Sequence, residues 1–225
     1  MTKRLRIPKT AQEEYLKEQG FEVICGVDEV GRGAWAGPLV AAAVILPPAP
    51  KLKAQMSNVK RIYKIRDSKL LSAKEREKLS RKIKRTCVWG IGEVTAAEVD
   101  KWQLTKATQL AFKRAIEGLS KKVDFVLIDG TTPLLYPKRA EASRMGCRAL
   151  KKGDMNCSSI AAASIIAKVY RDKIMRQLDR KIKGYYFSKH KGYGTKLHQE
   201  RLKKLGPSPV HRKFYAPIKK ALSNR

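Results

Sequence analysis

Acidic residues are scarce in this sequence: 20 Asp and Glu stand against 50 Lys and Arg, a formal net charge of +30 over 225 residues. A field of that sign repels cationic partners and concentrates polyanions, so nucleic acid is the first expected partner and an anionic membrane surface the second. The imbalance is uneven. Lys168 to Arg225 holds 18 basic and 3 acidic residues, so this end is expected to carry much of the phosphate contact. Long apolar runs are missing too. The longest, Leu39 to Pro48, is too short to span a bilayer and too far inside the chain to serve as a secretory leader, so no membrane association is expected. The four cysteines, Cys25, Cys87, Cys147 and Cys157, form no Cys-x-x-Cys pair, and the three histidines lack zinc-ligand spacing. This excludes a zinc ribbon or finger and predicts reduced thiols in a cytoplasmic protein. Aromatic residues make up only 7 % against 43 % hydrophobic residues, so a sizeable core is possible and must be mainly aliphatic.

What is present reads as alternating strands and helices. Residues 1–20 are polar and basic and predict a frayed end or a short helix. Phe21 to Val30 alternates, with Phe21, Val23, Cys25 and Val27 on one face, and predicts a strand. A Gly-rich turn runs from Gly31 to Pro38. Leu39 to Leu46 is continuously apolar and predicts a strand buried on both faces, ended by Pro47, Pro48 and Pro50. Residues 51–70 read as a connecting loop. Ser72-Ala73-Lys74-Glu75 fits a capping box that opens a helix with Leu79 and Ile83 on its apolar stripe. Cys87 to Val94 predicts a third strand, and a helix follows from about Ala96 to Leu119 with Leu104, Leu110, Ala111 and Ala115 facing the core. Val123 to Ile128 predicts a strand ending at Asp129-Gly130. Cys147 to Leu150 predicts a short one leading into Lys151-Lys152-Gly153-Asp154. Helices are expected over Ser158 to Ile182, Lys196 to Leu205 and Pro217 to Leu222, with Ala161-Ala162-Ala163 packed tightly on the sheet. The order gives an α/β fold with a mixed sheet and a helical C-terminal part. With no internal repeat, the length fits a single domain over residues 1–225, with an N-terminal segment to about 20 and a helical extension from about 183.

Against the shortage of acids, carboxylates at the ends of apolar strands call for a reason. Asp28 and Glu29 end the first strand, Asp129 ends another, and Asp154 follows a third. Strand ends in an open sheet are where sites assemble. Carboxylates converging there repel each other unless cations stand between them, and hard divalent ions, Mg²⁺ or Mn²⁺, suit oxygen ligands. Two such ions roughly 3.5–4 Å apart activate a water and stabilise the leaving oxygen of a phosphodiester. One geometric condition follows. Neighbours on a regular strand point to opposite faces, so the strand is expected to end or twist at Asp28-Glu29, as Gly31 permits. The alternative assignment of these acids is to turns and helix caps, Asp154 above all.

Gly31-Arg32-Gly33 with Gly37 invites comparison with the glycine fingerprint of dinucleotide-binding folds. Three residues rather than two separate Gly33 from Gly37, and a proline and an apolar strand follow where a helix is required. A nucleotide site is rejected. The motifs taken in order resemble the ribonuclease HII family instead. Gly26-Val27-Asp28-Glu29-Val30-Gly31-Arg32-Gly33 with Ala36-Gly37-Pro38 is similar to its opening motif. Asp67-Ser68-Lys69, Ile128-Asp129-Gly130, Lys152-Gly153-Asp154, the stretch Ala161 to Val169 with Arg171-Asp172, Lys191 to Thr195 and His211-Arg212-Lys213-Phe214 follow in order. The resemblance runs from about Glu14 to Tyr215.

It implies a ribonuclease H-like fold: a central mixed sheet flanked by helices, plus the C-terminal helical extension. It implies a metal-dependent endonuclease, with about two Mg²⁺ or Mn²⁺ ions per site, that hydrolyses the RNA strand of RNA–DNA hybrids. Ribonucleotide-containing duplex DNA would also be cut, 5′ to a single ribonucleotide, leaving 3′-hydroxyl and 5′-phosphate ends in the service of genome maintenance. The chain is expected to act as a monomer. Asp28, Glu29, Asp129 and Asp154 would be the catalytic, metal-binding carboxylates. Gly31, Arg32 and Gly33 would read the ribose 2′-hydroxyl, the group that separates RNA from DNA, with bare backbone free to approach the sugar. Tyr193 would stack at the RNA–DNA junction. Ser68, Lys69, Arg212 and Lys213 are expected to contact phosphate, and His211 is not expected to be catalytic. Val30 departs from the family's usual alanine, and Ala34-Trp35 from its proline–leucine, a change that bears on the strictness of junction recognition; Trp35 either touches substrate or packs. Two rivals remain: a non-catalytic nucleic-acid binder, which loss of the acidic positions would mark, and a DNA-cutting two-metal nuclease of the same fold, which a single-ribonucleotide substrate separates.

Overall fold

A computed structural model describes residues 11–48, 71–133 and 145–223. The order is α1 (Ala11–Glu18), β1 (Ile24–Val30), β2 (Leu39–Ile45), α2 (Ala73–Thr86), β3 (Val88–Val94), α3 (Ala96–Glu117), β4 (Phe125–Asp129), β5 (Gly146–Leu150), α4 (Gly153–Asn156), α5 (Ser158–Lys181), α6 (Phe187–His190), α7 (Lys196–Leu205) and α8 (Ala216–Ser223). The five strands form one mixed sheet in the order β3-β2-β1-β4-β5. β1 to β3 are antiparallel, while β4 runs parallel to β1 and β5 parallel to β4. The expected α/β architecture with a mixed sheet is thus present.

The sheet is covered on both faces, which explains why β2 is buried almost throughout. On one face Val27, Leu39, Ala41 and Ala43 meet Ala107, Ala111, Phe112 and Ala115 of α3. This helix lies very close: a Cβ on Gly92 would run into the carbonyl oxygen of Ala111, and one on Gly90 into that of Ala115. On the other face Val40, Ala42 and Val44 meet Ala161, Ala162 and Ala163 of α5, with Ile83 of α2 behind them. Phe21 departs from the expected alternation. β1 begins only at Ile24, and Phe21 joins Leu16, Ile24 and Phe125 in a separate cluster under α1.

Local chemistry fixes the helix starts. Ser72 accepts from the Glu75 N–H while the Glu75 carboxylate accepts from Ser72 N–H, the expected capping box. Thr95 and Glu98 repeat it at α3. The single helix expected from Ala96 is broken at Gln103 (φ 59°, ψ 165°). A tertiary contact lies beside the break. The Asp100 carboxylate accepts the N–H groups of Lys213 and Phe214, at 2.9 and 3.1 Å, and so ties the C-terminal segment to this turn. The C-terminal helices pack Tyr185 and Phe187 against Ala36 and Met175.

Candidate active site

β1 does not end at Asp28-Glu29. It stays in register with β2 through Val30, whereas its pairing with β4 stops at Val27. The two acids alternate across the strand, yet both line the same cleft. Asp28 shares its face with Gly26, which lies against the backbone of Ser159 and Ile160; its carboxylate is hydrogen-bonded by the Ser164 side chain and accepts the Glu29 N–H at 2.7 Å. Glu29 faces the α3 side, where Thr108 and Phe112 lie. Asp129 comes from the end of β4 and accepts the Gly153 N–H at 2.7 Å. Asp154 lies in the turn α4, buried, one residue on.

These four acids line one cleft of about 390 Å³ together with Gly31, Arg32, Gly33 and Tyr193. The structure thus brings eight of the predicted site residues to one place. Burial, then the charges of Glu29 and Asp129, hold the Asp28 pKa well above the ordinary carboxylate range. Burial also raises that of Glu29, against the pull of Arg32, whose Nη1 lies 3.5 Å from its Oε1. The donors are hard oxygens with no cysteine or histidine among them, so the set fits a hard divalent ion and not zinc. As posed, no group of three or more His, Cys, Asp or Glu among the described residues is arranged to hold a metal ion. Asp28 and Asp129 each turn one oxygen to a backbone amide, and Glu29 leans towards Arg32.

Three cleft residues were not anticipated individually. Arg76 enters from α2, and Ser164 and Lys168, four apart on α5, share one helical face. That spacing was the available signal, just after the Ala161-Ala162-Ala163 run read as packing. Lys168 is paired with Asp172 at 2.7 Å. Ser68 and Lys69 lie outside the described residues.

Arg212 is a correction. Expected to face phosphate, it is fully buried (0 % exposed). Its Nε donates to the Gly37 carbonyl at 3.0 Å, and Nη1 donates to those of Gly31 at 2.7 Å and Arg32 at 3.1 Å. Carbonyls crowded under a glycine-rich turn need a donor, and a planar guanidinium reaches several at once. Trp35 is half-buried, lies against His198 and lines a separate pocket with Leu202 and Pro217, outside the acidic cleft. Tyr193 is half-buried with the Arg171 guanidinium 5.4 Å from its ring centre.

His211 is buried in a cluster with the other two histidines. Its Nδ1 accepts the Ser208 N–H, so Nε2 carries the hydrogen and donates to His198 Nε2 at 3.0 Å; His198 Nδ1 in turn donates to the Tyr193 carbonyl at 3.0 Å. The chain of bonds is complete with both rings neutral. Burial is the main cause that lowers both pKa values to about 4.

An α/β sheet with a carboxylate-lined cleft at its strand ends, beside a glycine loop and within a strongly basic chain, defines a nuclease of the ribonuclease H-like class. The sequence model of the ribonuclease HII family matches residues 25–217. The chain is similar to ribonuclease HII of Dehalococcoides mccartyi, 44 % identical over 213 residues, 94 % of each chain. It is also similar to that of Thermus thermophilus, 45 % identical over 205 residues, covering 88 % of this chain and 89 % of the other. The crystal structure of ribonuclease H2 from Pyrococcus horikoshii superposes with a TM-score of 0.68 at 26 % identity, over 90 % of this chain and 98 % of that one. The chain belongs to the ribonuclease HII family, and so to the endoribonucleases that act on the RNA strand of RNA–DNA hybrids.

Proposed function

We propose that the chain hydrolyses the phosphodiester on the 5′ side of a ribonucleotide, in RNA–DNA hybrids and at single ribonucleotides in duplex DNA. Water would add to phosphorus as the bond to the 3′-oxygen breaks, leaving 3′-hydroxyl and 5′-phosphate ends. Two divalent ions, Mg²⁺ or Mn²⁺, would be held by Asp28, Glu29, Asp129 and Asp154. The observation that carries the reading is the convergence of these four acids, from three separate segments, on the cleft that the glycine loop borders.

Bound there, divalent ions supply Lewis-acid stabilisation of the attacking and leaving oxygens. The chain's own residues do the rest. The carboxylates supply oxygen donors whose mutual repulsion a cation would relieve. Gly31 is a glycine for internal reasons: its φ is +93°, and a Cβ would meet the Arg171 side chain. Gly33 has no such reason, since a Cβ there meets nothing within 4 Å. Its bare backbone is available to a ligand from outside, which suits close approach of a ribose and its 2′-hydroxyl. Tyr193 offers a ring face for the neighbouring sugar or base, and Arg76 adds positive charge for phosphate. Work as a monomer in the cytoplasm belongs to the same reading.

A duplex of DNA carrying one ribonucleotide tests this. A single cut 5′ to the ribose is expected with Mg²⁺ or Mn²⁺, none in EDTA, and none from Asp129→Asn, which still binds the duplex. An intact ribonucleotide site, or equal cutting of all-DNA duplex, would overturn it.

A further inference from the structure

Besides one internal hydrogen bond, from the Ala34 N–H to the Gly31 carbonyl at 3.3 Å, the glycine loop is held from beneath by two buried arginines. Arg171 donates through Nε to the Pro38 carbonyl at 2.8 Å and through Nη2 to that of Ala36 at 3.2 Å. Arg212 takes the other end of the loop, the carbonyls of Gly31, Arg32 and Gly37, while its own N–H donates to the Trp35 carbonyl at 2.7 Å. A buried cation usually costs several kcal/mol unless it is well bonded, so three carbonyls aimed at one guanidinium is a specific arrangement. Burial is the first cause that lowers its pKa, to about 10, which still leaves it charged at neutral pH.

The consequence lies on the far side of the peptide groups. All peptide bonds described are trans, and a trans peptide holds its N–H opposite its C=O. The Gly31 carbonyl shares a peptide group with the Arg32 N–H, and the Arg32 carbonyl shares one with the Gly33 N–H. Because Nη1 draws both carbonyls inward, both N–H bonds are turned outward. Arg32 and Gly33 line the acidic cleft, and neither N–H has a recorded acceptor among the described residues. Tyr215 reinforces the arrangement, its hydroxyl donating to the same Arg32 carbonyl.

We propose that Arg212 is a positioning residue for ribose recognition, whose guanidinium sets the peptide planes of residues 31–33 so that two backbone N–H donors face the substrate cleft. The inference rests on the reading of this loop as the ribose-reading element. It gives the C-terminal extension a task beyond phosphate binding, since Arg212 lies 181 residues from Gly31 in sequence.

The test compares affinities in EDTA, where no cleavage occurs, for a duplex with one ribonucleotide and for the same duplex in DNA. Arg212→Lys keeps the charge but replaces the fork by one nitrogen. It is expected to lower the ribose preference by about three- to tenfold, the range of one or two weakened hydrogen bonds, while leaving all-DNA affinity unchanged. A merely structural role would lower both affinities together and would overturn the proposal. Tyr215→Phe, losing only a half-exposed hydroxyl, should shift the preference the same way by less. It decides the matter if Arg212→Lys does not fold, an unchanged preference then counting against the proposal. A wild-type protein without ribose preference would remove the loop reading and this proposal together. A wild-type preference kept intact by Arg212→Lys would remove the Arg212 assignment alone.

Discussion

At Asp28 a carboxylate is buried beside Glu29 and Asp129, and both burial and those charges oppose its ionisation. A carboxyl whose folded pKa lies above its unfolded value weakens the fold at neutral pH. The loss is relieved as pH falls through the folded pKa or when a cation binds. Asp28→Asn removes the charge but keeps the oxygen that accepts the Glu29 N–H. It is expected to abolish cleavage and, in EDTA, to raise the melting temperature by about 3 °C or more. Differential scanning calorimetry with and without Mn²⁺ checks this. Wild type should gain stability from the ion and the variant little; a variant less stable than wild type in EDTA would contradict the electrostatic account. Residues of this kind were legible in the sequence because acids are rare and these follow apolar strands. Arg212 was not. An arginine in a basic tail reads as surface, and nothing local announces that three carbonyls from residues 31–37 will surround it.

Among the described glycines, those of β3 would bring a Cβ closest to a neighbouring backbone, that of α3. Gly90 and Gly92 let the α3 backbone lie on the strand, and their missing side chains, not their flexibility, are what the contact needs. Gly92→Ala should cost at least about 3 kcal/mol in a urea titration. Gly33→Ala, with open space around it, should cost less than about 0.5 kcal/mol while impairing cleavage. Similar stabilities for the two variants would count against this packing. Strands β1 to β5 were readable from apolar runs, and α2 from the Ser72–Glu75 box, because those signals are local. The break at Gln103 was hidden, and so was the contact beside it, in which Asp100 accepts backbone N–H groups more than 100 residues away. So was the way Asp28 and Glu29 meet. Neighbours on one strand point to opposite faces, and that both line one cleft is a property of the assembled fold rather than of the strand.

Across the whole molecule, charge and buried histidines set the response to solution conditions. With a net charge of +30, hybrid affinity should fall by about 10³ or more between roughly 50 and 200 mM salt if six or more phosphates are neutralised, as counterion release requires. A flat fluorescence-anisotropy titration would contradict the basic surface as the substrate's seat. His198 and His211 have folded pKa values near 4, below the unfolded value of 6.5. The unfolded chain therefore binds more protons between those values, and stability is lost as pH falls from about 6.5 to about 4, by a few kcal/mol for the pair. A thermal-melt series over that window checks the direction.

The most direct test of the central claim is an anomalous diffraction map from a crystal soaked in Mn²⁺. Manganese peaks within coordinating reach of Asp28, Glu29, Asp129 and Asp154 are expected, and Asp129→Asn crystals should lose at least one. A cleft without manganese at ion concentrations that support cleavage would contradict it.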